Sequence, residues 1–401
     1  MYLETPKKFI PLVEQAHRVA QEVFRPISRK YDLAEHEYPR ELDLLASLMD
    51  GMNEGGEISA GAGKLKREDR KKDGGVRNGS NLSTVLGLAE LCWGDVGLAL
   101  TIPRQGLGNS AIAAVANEEQ LKKFDRCWAA MAITEPASGS DSASISATAI
   151  PDGDHYVLNG EKIFVTAGDR ANVVVVWASV DPSAGRAAIK SFVVEKGTPG
   201  MRLERLEHKL GIKASDTATL IFEDCRVPKE NLLGSPEVQT EKGFGGVMQT
   251  FDNTRPVVAA MALGVGRASL ERTRALFKKA GTDANYEGSY FNVSAVEAEL
   301  YKMEADLEAA RLLTVRAAWL ADNGIPNSME ASMAKAKAGR VANHITLRCV
   351  HLCATMGYTE TELLEKWSRD SKILDIFEGT QQIQLLVVAR RLLNKSSKDL
   401  K

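Results

Sequence analysis

The spacing of apolar residues along the 401-residue chain changes twice. Toward both ends of the chain, apolar residues recur every three or four positions, which puts them on one face of a helix. This spacing predicts helices over 9–49, 82–91, 110–124 and 296–320. The last of these has the length of a bundle helix and should stop at Asn323-Gly324, a combination that favours helix termination.

The middle of the chain follows a different pattern. Short runs of β-branched and aromatic residues alternate with turn dipeptides such as Asn159-Gly160, and no helical period lies between them. These runs predict strands at 156–158, 162–166, 173–177, 189–194 and 218–222. Strands this short and this closely spaced favour an antiparallel sheet or barrel over a doubly wound α/β sheet.

Together the two patterns predict a mainly α protein with a central β domain, an α+β fold. We expect an N-terminal helical domain over 1–128, a middle domain over 129–240 with an antiparallel, barrel-like sheet, and a C-terminal four-helix bundle over 241–401. The first domain contains a charged insert at 51–79 with glycine-rich ends, which predicts a solvated loop or a short exposed helix.

Composition excludes several classes of function. The formal net charge is -2, so no basic field favours nucleic acid. No apolar run approaches the roughly 20 residues that span a bilayer, and the first eight residues lack the apolar core of a signal peptide. The five cysteines are odd in number and scattered, which favours a reducing compartment and predicts a cytoplasmic protein. Neither they nor the six histidines have metal-ligand spacing, so no metal site is expected.

A glycine motif at 106–111 reads G-x-G-x-x-A, the pattern of a dinucleotide-binding turn. Pro103 interrupts any strand before the motif, and no βαβ unit surrounds it. We therefore interpret the motif as a turn between helices and do not expect a nicotinamide-binding Rossmann domain.

Two segments near the predicted strands carry groups suited to binding a ligand. Residues 132–141 combine small side chains with the hydroxyls of Thr134 and Ser140, which suits a loop against a flat ring or a phosphate. In the strand at 162–166, Phe164 and Thr166 point to one face and could line a planar heterocycle. Each segment taken alone also fits an ordinary polar turn or a core strand.

A third segment carries a candidate base. Glu378 lies between an apolar run and Gly379, just before an amphipathic helix. A carboxylate among apolar neighbours tends to have a raised pKa, which suits a general base. The alternative is an ordinary acid at a helix N-terminus that satisfies free N–H groups.

The three segments together resemble the FAD-dependent acyl-CoA dehydrogenase family. They match its T-E-P-x-x-G-S-D stretch, its strand ending in aromatic-x-Thr, and its E-G-T-x-x-I-Q segment. Residues 251–260 are similar to the family's bundle helix at the thioester site. The resemblance covers nearly the whole chain. It implies oxidation of an acyl-CoA thioester to trans-2-enoyl-CoA in fatty-acid catabolism, with an electron-transfer flavoprotein as electron acceptor.

The resemblance also implies a role for each matching residue. Glu378 would abstract the α-proton while N5 of FAD accepts the β-hydride; Thr254, where some relatives carry the base, cannot serve. The expected FAD contacts are Ile133, Thr134, Ser140, Phe164, Val165, Thr166, Thr380 and Gln382. The expected acyl-CoA contacts are Ser140, Asp252, Arg255 and Gly379.

Two patterns of the family are missing from this chain. Members usually have R-x-x-F-G after the first bundle helix, where this chain has only Arg274-Ala275-Leu276-Phe277-Lys278. Members also have Q-x-x-G-G before G-Y-T, where this chain reads H-L-C-A-T-M over 351–356. Both patterns belong to the part of the FAD site that one subunit lends to its neighbour. The sequence leaves open a homotetramer with substitute residues and a mixed tetramer in which a related chain supplies the missing arginine.

Two alternative functions also stay open. An acyl-CoA oxidase would use the same fold and the same base, and its reduced flavin would react with oxygen. A non-catalytic subunit of a mixed acyl-CoA dehydrogenase complex would bind no flavin, which Glu378, Thr134 and Thr166 argue against. The length and shape of the acyl chain depend on helix packing and no motif indicates them.

Overall fold

The computed structural model describes residues 4–54, 78–104, 106–238, 245–282, 284–396 and 399, and describes only the backbone at 48–54, 245–253 and 290. Residues 55–77 of the predicted charged insert lie outside these ranges. Helices occupy both ends of the chain and strands its middle, as the sequence predicts. The helices are α1 (Ile10–Val19), α2 (Arg25–Leu33), α3 (Glu41–Glu54), α4 (Ser80–Gly94), α5 (Val96–Ala99), α6 (Leu107–Val115), α7 (Glu118–Lys123), α8 (Gly245–Lys279), α9 (Ala295–Asp322), α10 (Ser328–Leu352), α11 (Ala354–Tyr358), α12 (Leu364–Ser371) and α13 (Gln381–Leu392). The strands are β1 (Ala129–Ala132), β2 (Thr148–Asp152), β3 (His155–Thr166), β4 (Val173–Ser179), β5 (Ile189–Glu195), β6 (Met201–Leu206) and β7 (Thr217–Pro228).

Local signals set the ends of the helices. The long helix predicted over 296–320 is α9, and Gly324 after it has a φ of 67°, the left-handed conformation that glycine adopts freely. The single helix predicted over 110–124 is two helices, because Asn117 starts a new one. Its side chain accepts from the backbone N of Gln120 at 2.9 Å, and the Gln120 side chain accepts from the backbone N of Asn117 at 3.1 Å. This reciprocal capping box stabilises the start of α7.

The glycine motif at 106–111 is not a turn but the first part of helix α6. Both glycines serve close packing. A Cβ on Gly108 would come within 2.3 Å of the carbonyl oxygen of Ala130, and one on Gly106 within 2.5 Å of that of Ala129. The start of α6 therefore lies directly against strand β1, which only glycine permits.

The strands form one curled, half-barrel sheet in the order β1-β4-β2-β3-β7-β6, with β5 paired to β4. The pairs β2–β3, β3–β7, β6–β7 and β4–β5 are antiparallel. The prediction of an antiparallel sheet is wrong at β4, which runs parallel to β1 and meets β2 in parallel at Thr148 and Ser179. The hairpin of β2 and β3 lies between β1 and β4 in the chain, and a connection of this length allows two strands to run in the same direction.

The helices from the two ends of the chain share one hydrophobic core. Phe24, Leu98 and Tyr31 from the N-terminal part belong to the same buried cluster as Val258 and Trp367 from the C-terminal part. Helices α8, α9 and α10 pack on one another, α4 packs on α8 and α9, and α13 packs on α10. The sheet has a separate core. The domain limits near 128 and 240 stay a prediction.

A buried ionic cluster joins these helices to the sheet. The Nζ atom of Lys366 on α12 lies 2.7 Å from Oδ2 of Asp95 and is also bonded to Asp370. Ser28 on α2 donates to Asp95, and the backbone N of Ile212, in the β6–β7 segment, donates to Asp370 at 2.5 Å. Lys366, Asp95 and Asp370 are fully buried.

In the described part of the chain, none of the helices has the length and hydropathy that crossing a membrane requires.

Candidate active site

Glu378 lies in an unusual backbone turn between α12 and α13. Its φ is 56° and that of Gly379 is 90°, so two consecutive residues adopt left-handed conformations. For a residue with a side chain this conformation costs on the order of 1 kcal/mol or more and persists only when its surroundings enforce it. Gln384 enforces it from α13, since its Nε2 donates to the carbonyl oxygens of Glu378 at 2.9 Å and Gly379 at 3.2 Å.

The carboxyl group of Glu378 faces helix α8. Oγ1 of Thr254 donates to Oε2 of Glu378 at 2.7 Å. Burial raises the pKa of Glu378, while this hydrogen bond and the charges of Arg255 and Lys335 act in the opposite direction. The sequence predicts a raised pKa at this position, and the structure agrees with that direction.

Two of the groups around Glu378 escaped the sequence analysis. Thr254 was set aside because it cannot act as a base, yet it is the direct hydrogen-bond partner of the carboxylate, 124 residues away in the chain. Lys335 on α10 is fully buried and donates to the carbonyl oxygen of Gly379 at 2.7 Å. A signal for Lys335 existed: it lies four residues after Ala331 and seven before Ala342, on the face that α10 buries.

The structure places the predicted acyl-CoA contacts in two different regions. Arg255 is buried on α8 next to Thr254, and its Nη1 lies 3.5 Å from Oγ of Ser332. Gly379 directly follows Glu378. Asp252 lies on α8 as well, but its side chain lies outside the described part. Ser140 is exposed in the loop after β1 and belongs to a second group of residues.

This second group is built on strand β3 and the loop after β1. Glu135 and Lys162 form a buried ion pair at 2.7 Å, and Glu135 also accepts from Ser146 and from the backbone N of Ala147. Burial is outweighed by the bonds from Lys162 and Ser146, so the pKa of Glu135 is lowered. The backbone N of Ile163 donates to the carbonyl oxygen of Thr134 at 2.9 Å. These bonds bring Thr134 beside the end of β3.

The end of β3 presents an aromatic ring to the outside. Phe164 has a φ of 56° at an irregularity in the β3–β7 pairing, and the residue is 61% exposed. Val165 points into the sheet core and Thr166 is partly buried. Ile133 is buried against Trp177. The uncovered ring lies on the segment that carries Thr166 and that bonds the Thr134 backbone through Ile163, an arrangement that fits a flat heterocycle such as a flavin.

A backbone segment at 211–217 connects the two groups. Thr217 pairs with Thr166 across β7 and β3, and the backbone carbonyl oxygen of Asp216 accepts from the backbone N of Ala167 at 3.2 Å. At its other end the segment bonds to Asp370 of α12, which leads into Glu378.

Thr380 caps α13, with Oγ1 accepting from the backbone N of Ile383 at 3.4 Å. Gln382 is exposed on the first turn of α13.

Comparison with known proteins identifies the family of this chain. The family model described as acyl-CoA dehydrogenase, middle domain, matches residues 130–225, and the one described as acyl-CoA dehydrogenase, C-terminal domain, matches 241–393. The short-chain specific acyl-CoA dehydrogenase of Clostridium acetobutylicum is 35% identical over 329 residues, which are 80% of this chain and 85% of that protein. The chain belongs to the acyl-CoA dehydrogenase family.

Other members of the family give the same result. The mitochondrial short-chain specific acyl-CoA dehydrogenase of Rattus norvegicus is 43% identical over 262 residues, 65% of this chain and 62% of that protein, so the match spans less than two thirds of that relative. The structure of butyryl-CoA dehydrogenase from Megasphaera elsdenii superimposes with a TM-score of 0.83 at 31% identity, covering 98% of this chain and 100% of that one.

This acyl-CoA dehydrogenase family member uses the positions of the missing patterns differently. Arg274 lies 3.4 Å from Glu304 and stacks over the ring of Tyr286 at 4.7 Å, so contacts within the chain engage it. Ala354, where the family pattern has glycine, has a φ of 47° and is exposed. The glycine is gone, but the left-handed backbone that suits glycine is still present.

Replacing Ala354 with glycine should therefore stabilise the protein. Relief of the left-handed strain is worth about 1–2 kcal/mol, and the extra freedom of glycine in the unfolded chain returns part of that, so we expect a net gain of about 0.5–1 kcal/mol. Thermal and urea unfolding would measure it. Ala389→Gly on helix α13 is the matched control and should destabilise, since its backbone is helical. An Ala354→Gly protein less stable than the parent would contradict the expectation.

Glu35, His36 and His208 form a cluster that their spacing in the sequence does not reveal. One possible ligand atom from each lies within 4.8 Å of the others. Glu35 accepts from Nδ1 of His208 and the backbone N of Lys209, and Nζ of Lys213 lies 4.0 Å from its Oε2. Burial and nearby positive charges lower the pKa of His36. These positive charges oppose a cation, and the expectation of no metal site stays a prediction.

Proposed function

We propose that this chain is an acyl-CoA dehydrogenase that uses Glu378 as the base for the α-proton of an acyl-CoA. The observation that carries the proposal is the environment of Glu378: a carboxylate held in a left-handed turn, bonded to Thr254, with a pKa raised by burial. The α-proton of a thioester is weakly acidic, and a desolvated carboxylate in a fixed position is the group that can remove it.

The residues around Glu378 would carry out the proton transfer, and those on β3 and the loop after β1 would hold the flavin. Glu378 takes the α-proton onto its carboxylate, whose Oε2 Thr254 holds, and the backbone N–H of Glu378 would bond the thioester carbonyl oxygen. FAD, when bound, supplies the acceptor for the β-hydride. Thr134 and Thr166 would bond the flavin ring and Phe164 would lie beside it, with further contacts from Ile133, Ser140, Val165, Thr380 and Gln382. Ser140, Asp252, Arg255 and Gly379 would contact the acyl-CoA.

We further propose that the substrate is a short-chain acyl-CoA. Support comes from two relatives that match over most of their own length at more than 30% identity and carry names of short-chain or butyryl-CoA enzymes. A panel of straight-chain acyl-CoA thioesters with an artificial electron acceptor tests the function, with the enoyl-CoA product identified by mass spectrometry. Turnover should be highest for the four-carbon to six-carbon substrates. Absence of an enoyl-CoA product with every thioester would refute the dehydrogenase.

The electron acceptor is proposed to be an electron-transfer flavoprotein, in the course of fatty-acid catabolism. Measuring hydrogen peroxide in the same assay distinguishes this reaction from an acyl-CoA oxidase. A dehydrogenase should form little peroxide in air and should be stimulated by an electron-transfer flavoprotein. Peroxide formed in step with enoyl-CoA would assign the chain to the oxidases instead.

The chain is proposed to assemble as a tetramer that a related chain completes. Two observations support the mixed assembly over a homotetramer: Arg274 is engaged by Glu304 and Tyr286, and the 351–356 segment lacks the glycines that admit a pyrophosphate. Purifying the chain alone and counting FAD per subunit by absorbance decides between them. We expect substoichiometric FAD, and full occupancy would establish the homotetramer.

Removing the Thr254 hydroxyl should shift the pH dependence of turnover. The hydrogen bond from Thr254 favours the ionised form of Glu378, so Thr254→Val should raise the pKa of the base further. Because the base must be deprotonated, the acid limb of kcat should move to higher pH, and kcat should fall more at pH 6 than at pH 8. Thr314→Val on α9, where the hydroxyl bonds only a helix carbonyl, is the control. An unchanged acid limb in Thr254→Val would contradict the assignment.

A further inference from the structure

Lys335 differs from the other two lysines that are fully buried in the described part of the chain. Lys162 is paired with Glu135, and Lys366 with Asp95 and Asp370. Within the described residues, no carboxylate lies within 4.0 Å of Nζ of Lys335, which donates instead to the backbone carbonyl of Gly379 at 2.7 Å. Burial of an ammonium group without an ion pair costs several kcal/mol. A neutral donor would hold a carbonyl at lower cost, so the charge itself needs an explanation.

The carbonyl that Lys335 holds belongs to the turn that aims Glu378. Gln384 holds the Glu378 carbonyl from α13, and Lys335 and Gln384 together hold that of Gly379. Because Glu378 and Gly379 both have left-handed backbones, the orientation of these peptide groups decides where the carboxylate points. Lys335 therefore holds the turn from α10, which precedes the turn in the chain, and Gln384 holds it from α13, which follows the turn.

The charge of Lys335 also acts on the Glu378 carboxylate. The charged groups around Lys335 are Asp375 and Glu378, which favour its ionised form, and Arg255, which disfavours it. Those around Glu378 are Lys335 and Arg255, with the neutral hydroxyl of Thr254. Burial lowers the pKa of Lys335 to about 8, so at neutral pH the ammonium is still mainly charged. It then offsets part of the cost of an ionised carboxylate in a buried position.

We propose that Lys335 is a positioning residue for the base: it anchors the Gly379 carbonyl and supplies, from α10, a positive charge that keeps the Glu378 carboxylate ionised. The proposal rests on the proposed function, in which Glu378 is the base. It assigns the buried charge to the reaction and not to folding. A lysine buried without an ion pair destabilises a fold, so a neutral side chain of similar length should not make the protein much less stable.

The test compares Lys335→Met and Lys335→Gln, which remove the charge, with Lys335→Arg, which keeps it. In Lys335→Met we expect kcat at pH 7 to fall roughly tenfold, with the acid limb of kcat moved to higher pH. Lys335→Gln should shift the acid limb in the same direction, and Lys335→Arg should restore it. Lys337→Met is the matched control on the same helix: Lys337 pairs with Asp306 of α9, and its loss should leave the pH profile unchanged.

A second measurement does not depend on turnover. Hydrogen exchange followed by mass spectrometry should be faster at 378–384 in Lys335→Met than in the parent, and unchanged there in Lys337→Met. An unchanged acid limb in both neutral variants, or unchanged exchange at this turn, overturns the proposal while leaving the dehydrogenase intact. If the parent protein turns over no acyl-CoA, the proposed function fails, and the role of Lys335 toward a base fails with it. Hydrogen exchange then reports only whether Lys335 anchors the turn.

Discussion

Glu378→Gln should lose at least about 10²–10⁴-fold in kcat while it still binds flavin and acyl-CoA. Glutamine has the shape of glutamate, can still accept from Thr254, and keeps the left-handed turn bonded to Gln384 and Lys335. It cannot take up a proton at neutral pH, so the α-proton has no acceptor. The flavin content and the spectral change on adding an acyl-CoA measure binding, and steady-state assays measure kcat.

A matched exchange elsewhere separates loss of the base from loss of a charge. Glu330 lies in the first turn of α10 and is 3.5 Å from Arg316 on α9, so Glu330→Gln changes one surface ion pair. We expect activity close to that of the parent protein. If Glu378→Gln retained more than a tenth of the parent kcat, another group would have to be the base. Since Thr254 occupies the alternative position of the family, that group would lie outside the residues assigned to this site.

Lys366→Met should destabilise the protein by about 3–5 kcal/mol, because it leaves two buried carboxylates without their cation. Burial is outweighed by the charges of Asp370 and Asp95, so the pKa of Lys366 is raised. Burial raises the pKa of Asp370 even with Lys366 present. In Lys366→Met the hydrogen bonds and the positive charge of the lysine are both lost, and the carboxylates of Asp95 and Asp370 repel one another. Urea and thermal unfolding, followed by circular dichroism, would measure the loss.

The sign of the pH dependence gives a second check on this cluster. In Lys366→Met, the folded-state pKa of Asp370 should rise further above its unfolded value. A carboxyl with a raised folded-state pKa is relatively more stable when protonated, and that stability is lost as pH rises. The deficit against the parent protein should therefore shrink as pH falls from 7 toward 5. Lys196→Met, which breaks an exposed pair with Asp169, should cost less than about 1 kcal/mol at every pH. A deficit in Lys366→Met that does not depend on pH would contradict this account.

The strands that the sequence analysis found are those with apolar side chains on at least one face. β4 and β5 are buried along nearly their whole length, and their runs of valine predict strands. β1 is made of Ala129-Ala130-Met131-Ala132, β2 ends in Pro151-Asp152, and β6 carries Arg202, Glu204 and Arg205 on an exposed edge. Alanine, proline and charged residues have low strand propensity. These three strands form because neighbours offer hydrogen bonds, which their own residues do not reveal.

The residues of the candidate site also differ in whether the sequence alone reveals them. Glu378, Thr134, Phe164 and Thr166 belong to local motifs and can be recognised from short stretches of sequence. Thr254 and Lys335 act on Glu378 through contacts between helices that lie far apart in the chain. Their residue types are unremarkable: a threonine before an arginine and a lysine in an alanine-rich helix. Only the packing of α8, α10 and the 378–380 turn gives them a role.

The shared core of the terminal helices has a consequence for how the chain folds during synthesis. Phe24, Tyr31 and Leu98 are made early, but their partners Val258 and Trp367 leave the ribosome much later. At about 5–20 residues per second, the first helices wait on the order of tens of seconds for the segments that cover them. Their apolar faces are open to other chains throughout that time. We therefore expect rapid overproduction to send this chain into aggregates more readily than a chain whose domains close one after another.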